Sequence, residues 1–255
     1  MSPLGVAAVS LVVTAAAWAL RALAPSGVPA AWAVGAATLW AAGWPGGAVL
    51  LAFFVPGSVI SRLWAAPDST LDTKGDRRDA WQVLANGGVP ALGAACANST
   101  EAALAVLAAG LAAAAADTWA TGVGIHSRAQ PRHVVTGRVV PAGTSGGVTL
   151  LGTVGALGGA TIVALAACPL LGPRWFGGLI AIGMAGMFVD SALGATIQGR
   201  FRCPGCDHPS EKRQHRCGTR TEHVGGLKWI TNDGVNALAT GLATAAGWLG
   251  WHLLS

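Results

Sequence analysis

Three acidic stretches interrupt this 255-residue chain where its apolar character is strongest. ADTWATGVG puts Asp117 at the end of LAVLAAGLAAAAA, and FVDSALGATIQG puts Asp190 directly after LIAIGMAGMFV. TNDGVNALAT puts Asn232, Asp233 and Asn236 at the opening of the last apolar segment. A carboxylate in such surroundings requires a partner, a metal or a water-filled cavity. Helical spacing sets Thr121 on the Asp117 face and Asn236 on the Asn232 face, each at i,i+4. Carboxylates of this kind suit Mg²⁺, which keeps several waters and binds substrate phosphates. In phosphoryl transfer the metal offsets charge while nearby donors hold the non-bridging oxygens. Interhelical hydrogen bonding accounts for an isolated Asn or Thr; for Asp117 and Asp190 a neutral residue would do the same with less desolvation. A proton or cation transporter uses the same acids, so the carboxylates alone leave enzyme and transporter both open.

Three polar loops supply groups for an anionic substrate. In TGRVVPAGTSGGVTLLG, Gly143, Gly146 and Gly147 permit tight backbone geometry, and Thr144 and Ser145 carry hydroxyls. A helix beginning there would aim its first N–H groups at an anion, with Arg138 in support, although GxxxxGK[ST] is absent. Close helix packing explains the same glycines. DTKGDRRDAWQVLANGG mixes Lys74, Arg77 and Arg78 with acids, then carries Gln82 and Asn86 at i,i+4 into an apolar helix. Spacing does not decide which arginine turns inward. RFRCPGCDHPSEKRQHRCGTRTEHVGG sets Cys203-x2-Cys206-x10-Cys217 beside several histidines. Such a knuckle suits structural Zn²⁺, with His215 or His223 as the fourth ligand. The alternative is a small polar loop with free thiols.

The elements that must position these groups are helices in a bilayer. The chain is 53% hydrophobic and only 11% charged, too few charges to cover a soluble surface. Its 37 glycines and 11 tryptophans suit close helix contacts and interfacial rings. Apolar segments near 4–20, 28–43, 45–63, 82–97, 101–122, 145–168, 175–199 and 229–254 predict an all-α polytopic bundle of seven or eight spans, with GWPGG joining the second and third as a hairpin. The whole of 1–255 reads as one integral-membrane domain. With eight spans, all of the 16 Lys and Arg residues except Arg174 fall on one side. The positive-inside tendency then makes 64–81, 125–144 and 200–228 cytoplasmic loops and puts both termini outside. The expected home is the plasma membrane of a prokaryote. The net charge of +5 is dispersed among these loops and forms no nucleic-acid-binding stripe, so no nucleic-acid partner is expected. No Ser/His/Asp arrangement supports hydrolysis by a serine nucleophile either.

Read together, ADTWATGVG, VVPAGTSGGVTLLG, VDSALGATIQG, the HRCG loop and NDGVNALAT resemble the DUF92-type integral-membrane family of plant phytyl-phosphate kinase and transmembrane protein 19. The resemblance runs from about residue 74 to the last span. It implies a kinase that uses CTP or another nucleotide to convert an isoprenyl monophosphate, of the phytyl or geranylgeranyl type, into its diphosphate. Carried onto this chain it marks Lys74, Gln82, Asn86, Asp117, Thr118, the segment from Gly143 to Gly147, Asp190, Gln198, Asn232, Asp233 and Asn236. Where the family commonly has a glutamate after ADT, this chain has Thr121. The implied mechanism holds Mg²⁺ on Asp117, Asp190 and Asp233, while Lys74, Arg138 and the Gly143 segment steady the phosphates; Arg77 and Arg78 are further candidates. The rival readings are another lipid head-group phosphotransferase, for which the DGxxARxxxxxSxxG arrangement is missing, or a transporter.

Overall fold

The computed structural model describes residues 2–63, 77–210, 213–215 and 217–254. Lys74 therefore lies outside the described residues, as does most of the loop expected over 64–81.

Helix α1 (Pro3–Ala19) opens on Ser2, whose Oγ accepts the Gly5 N–H, with Pro3 at the first helical position. Helix α2 (Gly27–Leu63) breaks at Gly43, whose φ of 61° and ψ of −155° suit only a residue without a Cβ. Both ends of α2 arrive at Arg78: a Cβ on Gly27 would lie 2.3 Å from the Arg78 carbonyl oxygen, and one on Gly57 would lie 2.8 Å from Arg78 Nη2. The two halves of α2 thus fold back on one another, the hairpin that GWPGG predicts. Ser10 Oγ donates to Trp32 O at 2.7 Å, and Trp32 Nε1 donates to Ala7 O at 3.2 Å, so α1 lies against the first half.

The fourth apolar segment is not one α-helix. It comprises α3 (Ala80–Val83), a π-helical turn over Leu84–Gly88, and α4 (Val89–Ala95). Helix α5 (Thr100–Gly124) follows, capped by Ser99 Oγ, which accepts from Ala102 N. Every residue from Ala102 to Ala116 is buried. Around α5 pack α2, α4, α6 (Leu150–Leu171), α7 (Arg174–Thr196) and α8 (Asn232–Leu254). Glycines bring these neighbours close. A Cβ on Gly159 of α6 would lie 2.5 Å from Ala115 O, one on Gly183 of α7 3.0 Å from Ala112 O, and one on Gly247 of α8 3.2 Å from Ala105 O. This is the packing that membrane helices use where lipid removes a hydrophobic drive for association.

Among the described residues, four helices are long and apolar enough to cross a membrane: α2, α5, α6 and α7. Exposed leucines and valines cover the outside of the bundle, and exposed tryptophans gather at helix ends, as with Trp18, Trp44, Trp81 and Trp229. The expected all-α architecture is amended by two small ladders in the loops. One pairs β1 (Arg132–His133) antiparallel with β2 (Gly147–Val148). The other orders β3 (Arg200–Arg202) between β4 (Pro209–Ser210) and β5 (Glu222–Gly225), both antiparallel to it. Helix α6 begins at Leu150 rather than near 145, because Thr149 Oγ1 caps it by accepting from Gly152 N while the residues before it pair as β2.

Candidate active site

Asp117 lies about two turns before the end of α5, and Asp190 less than two turns before the end of α7. Asn236 sits one turn inside α8, and Asn86 belongs to the π-helical turn. These four side chains line one narrow cleft, walled by Ala113, Ala114, Gly186, Ala239 and Thr240. The small wall residues let the helices approach closely, which confines the polar groups. Asn236 is 8% exposed, and its Oδ1 is buried with no hydrogen-bond partner among the described residues. A buried carbonyl oxygen left unmatched normally calls for a ligand, water or ion. Asp233 precedes Asn236 by three residues on the same helical face but does not line the cleft. Asn232, at the start of α8, is likewise outside the lining.

Thr240, which sequence reasoning passes over, is 2% exposed, and its hydroxyl donor is shared between Ala85 O and Asn236 O, each at 2.8 Å. The bond to Ala85 fastens α8 to the π-helical turn. Such turns are frequent at functional sites, and this one aims Asn86 while the Asn86 Nδ2 donates to Gln82 O at 3.0 Å. The i,i+4 spacing of Thr240 from Asn236 was the available signal; an inserted π turn leaves no mark on apolar periodicity.

A second and larger space lies between α1 and the two halves of α2, with a volume of about 260 Å³. Apolar side chains form most of its lining, but Arg78, Gln82 and Asn86 border it, and Asn86 is shared with the acidic cleft. The Arg78 guanidinium lies over Phe53 at 4.8 Å and Phe54 at 5.1 Å from the ring centroids. Burial lowers its pKa to about 10. Thr118, next to Asp117, flanks Gly57 on the same side as Arg78: the Gly57 Cβ position is 3.4 Å from Thr118 Cγ2. Arg77 by contrast is exposed. The arginine that faces inward is Arg78.

Other expected site residues take structural positions. Gln82 is occupied in a capping box, its Oε1 accepting from Asp79 N at 3.1 Å while Asp79 Oδ1 accepts from Gln82 N at 2.9 Å. Gln198 is 3% exposed at the end of α7, where its backbone bridges to Leu227. The segment from Gly143 to Gly147 does not open a helix toward an anion. Thr144 Oγ1 donates to Pro141 O at 2.8 Å, closing a turn in which Gly143 has φ 81°. Gly146, with φ 78°, lies against α7, where a Cβ would fall 2.4 Å from Ala195 Cβ and 2.8 Å from Ser191 O. Gly146 thus packs against α7 beside Ser191, one residue beyond Asp190, and Ser145 Cβ lies 3.9 Å from the Gly194 Cβ position. Arg138 is exposed in the β1–β2 connection and does not reach the cleft.

The cysteine loop closes on itself. Cys203, Cys206, His215 and Cys217 bring one ligand atom each within 4.8 Å of all the others. His215 Nδ1 is 3.1 Å from Cys217 Sγ and 3.6 Å from Cys206 Sγ, and Cys203 Sγ is 3.5 Å from Cys217 Sγ. His223 is turned elsewhere, its Nε2 meeting Gly226 O at 3.0 Å. Hydrogen bonding with Thr219 and then His215 pulls the Cys217 thiol down to about 5, whereas bonds to Cys217 and Cys203 push Cys206 up to about 12. Three thiols and an imidazole nitrogen at this spacing match the donor set of a structural zinc knuckle.

The class these features define is an integral-membrane helical protein with a carboxylate–amide cleft buried at the meeting of α5, α7 and α8. Within that class the chain belongs to the family described as integral membrane protein DUF92, whose profile matches residues 8–244. Protein PGR of Arabidopsis thaliana is 30% identical over 227 residues, covering 76% of this chain and 77% of that protein. The uncharacterized membrane protein MJ0933 of Methanocaldococcus jannaschii is 32% identical over 157 residues, covering 59% of this chain and 64% of that protein. No solved structure matches.

Proposed function

We propose that the chain is an isoprenyl-monophosphate kinase, transferring a phosphoryl group from CTP or another nucleoside triphosphate to a phytyl- or geranylgeranyl-type phosphate. The observation that carries this reading is the shared cleft of Asp117, Asp190 and Asn236, with an unmatched buried oxygen on Asn236. An oxygen of the acceptor monophosphate attacks the γ-phosphorus, the bond from that phosphorus to the β-bridging oxygen breaks, and the nucleoside diphosphate leaves. The acceptor is already anionic, so no general base is needed, and positioning supplies most of the rate effect.

The oxygen-only donor set of the cleft fits Mg²⁺. Asp117 and Asp190 would hold it, and it would offset the charge on the nucleotide phosphates. Asp233, three residues before Asn236 on α8 but outside the cleft lining, is the further carboxylate that the family resemblance assigns to the metal. Asn236 and Asn86 orient the two phosphate groups across the cleft. Lys74 keeps the catalytic role that the family resemblance implies, steadying the reacting phosphates. The cysteine cluster is read as a Zn²⁺ site that braces the loop between α7 and α8, with His215 as fourth ligand.

The membrane placement that goes with this reading has seven or eight crossings in one domain over 1–255, and the sidedness that follows is that of eight. Loops 64–81, 125–144 and 200–228 are cytoplasmic, both termini are outside, and the membrane is the plasma membrane of a prokaryote. The nearly one-sided distribution of Lys and Arg supports it.

The test is purified protein in lipid nanodiscs with Mg²⁺, labelled nucleotides and a panel of isoprenyl monophosphates. Diphosphate product that depends on Asp190, and is lost in Asp190→Asn with unchanged folding, is the expected result. Absence of product with every nucleotide, or full transfer by Asp190→Asn, overturns the reading.

A further inference from the structure

We infer that the space between α1 and α2 is the tail chamber for a single-chain isoprenyl phosphate, with Arg78 as its phosphate anchor and room for only the first part of the tail. The identity of the ligand rests on the kinase reading; the location and depth of its site rest on the following geometry.

The chamber is apolar along its length and polar at one end. Val9, Leu39 and Trp44 lie toward the α2 turn, while Phe53, Phe54 and Arg78 lie where the ends of α2 converge. Arg78 is partly buried, and no carboxylate pairs with it among the described residues. Its guanidinium is held instead on two phenylalanine faces. Stacking of this kind fixes the planar fork, which suits bidentate phosphate recognition. A positive, pre-oriented group at one end of an apolar chamber is complementary to one kind of occupant, an anion carrying an apolar chain. The phosphate on Arg78 then faces the acidic cleft, because Thr118 and Arg78 flank Gly57 together and Asn86 borders both spaces.

Size sets the second half of the inference. A dry cavity of about 150 Å³ accommodates benzene, or roughly 25 Å³ per carbon. At that density the chamber's 260 Å³ takes about ten carbons, roughly two isoprene units. One chain enters and two acyl chains do not. The remainder of a longer tail extends into the bilayer, so discrimination is expected between five and ten carbons and little between ten and twenty.

Binding can be read without turnover. The probes are isoprenyl monophosphates with a diazirine on the second or on the terminal fourth isoprene unit, photo-crosslinked in nanodiscs and mapped by mass spectrometry. The second-unit probe should label α1 and α2, and the terminal probe should label lipid. Arg78→Ala should lower phosphate-probe labelling at least tenfold, leave labelling by the matching isoprenyl alcohol within about twofold, and be partly restored in Arg78→Lys. Ala31→Phe, near the Arg78 end, should raise KM for every chain length, whereas Val9→Phe should affect ten-carbon and longer chains only; monodisperse elution checks folding of each. Labelling confined to α5–α8, or equal competition by phosphatidic acid, overturns the inference. Labelling as expected without any diphosphate overturns the kinase reading and leaves the chamber standing. Diphosphate formation with labelling elsewhere does the reverse.

Discussion

Helices α2 and α5 are both long and apolar, yet they are buried in opposite ways. The most apolar window of α5 is 83% buried, against 28% for α2. Alanine from α5 and glycine from α6, α7 and α8 bring backbones almost into contact, leaving a cleft that only small polar groups line. Around α1 and α2 the side chains are larger and do not close, leaving the 260 Å³ chamber. The difference teaches that tight packing and open volume are assigned to separate parts of one fold. A dense core fixes the charged groups at one position, and a looser N-terminal layer leaves space for a chain of atoms.

The strongest way to break this comparison is at the cleft itself. Asp190→Asn and Asp117→Asn should each cut phosphoryl transfer by about 10²–10³-fold, the range found when one pre-organised electrostatic group is removed. Thermal unfolding should scarcely change, and second-unit crosslinking in the N-terminal chamber should persist. Crosslinking lost together with transfer would show that the two regions are not separable.

A packing contrast comes next in size. Gly159→Ala puts a Cβ 2.5 Å from the Ala115 carbonyl oxygen, a backbone atom that cannot step aside. It should destabilise the protein by about 1–3 kcal/mol, as overpacking does, seen as a lower midpoint in detergent unfolding. Ala48→Leu, at an exposed position on the chamber wall, should leave that midpoint within about 0.5 kcal/mol. Equal losses would mean that the N-terminal layer is packed as tightly as the core.

The cysteine loop belongs to the C-terminal region, since it follows α7 and Gln198 ties it to Leu227 beside α8. Metal analysis of the purified protein should find about one zinc per chain. Cys203→Ser and His215→Ala should abolish it, while His223→Ala retains it. Zinc lost on changing His223, or kept on changing His215, would reverse the ligand assignment. Labelling of the N-terminal chamber should survive zinc removal.

Much of the arrangement was legible in the sequence because it rests on short-range rules. The break at Gly43 follows from GWPGG, and the order of helices follows from apolar length. Asp117, Asp190 and Asn236 stand out because each is polar where desolvation is expensive. What escaped depends on contacts distant in sequence. Arg77 and Arg78 are adjacent, and only the approach of both α2 ends selects Arg78. Gly146 looks like a phosphate loop until Ala195 is seen against it, and the capping box that occupies Gln82 competes with the ligand role its position suggested. The space between α1 and α2 is a three-dimensional remainder, and apolar composition does not record it.

Thr240 offers the smallest but most discriminating change, because it touches both readings of the core. Its hydroxyl donates to Ala85 O and its side chain also lines the cleft. Thr240→Val keeps the shape and removes the donor, so an anchoring role predicts a loss of about 1 kcal/mol and a fall of about 2–4 °C in Tm. Transfer should then remain within about threefold, because Asn86 is still held by Gln82 O. A large fall in transfer at unchanged Tm would instead put the Thr240 hydroxyl on substrate and free Ala85 O from its place in the bundle. The rigid region would then extend less far toward the π-helical turn, and the boundary between dense core and open chamber would run through Asn86 itself.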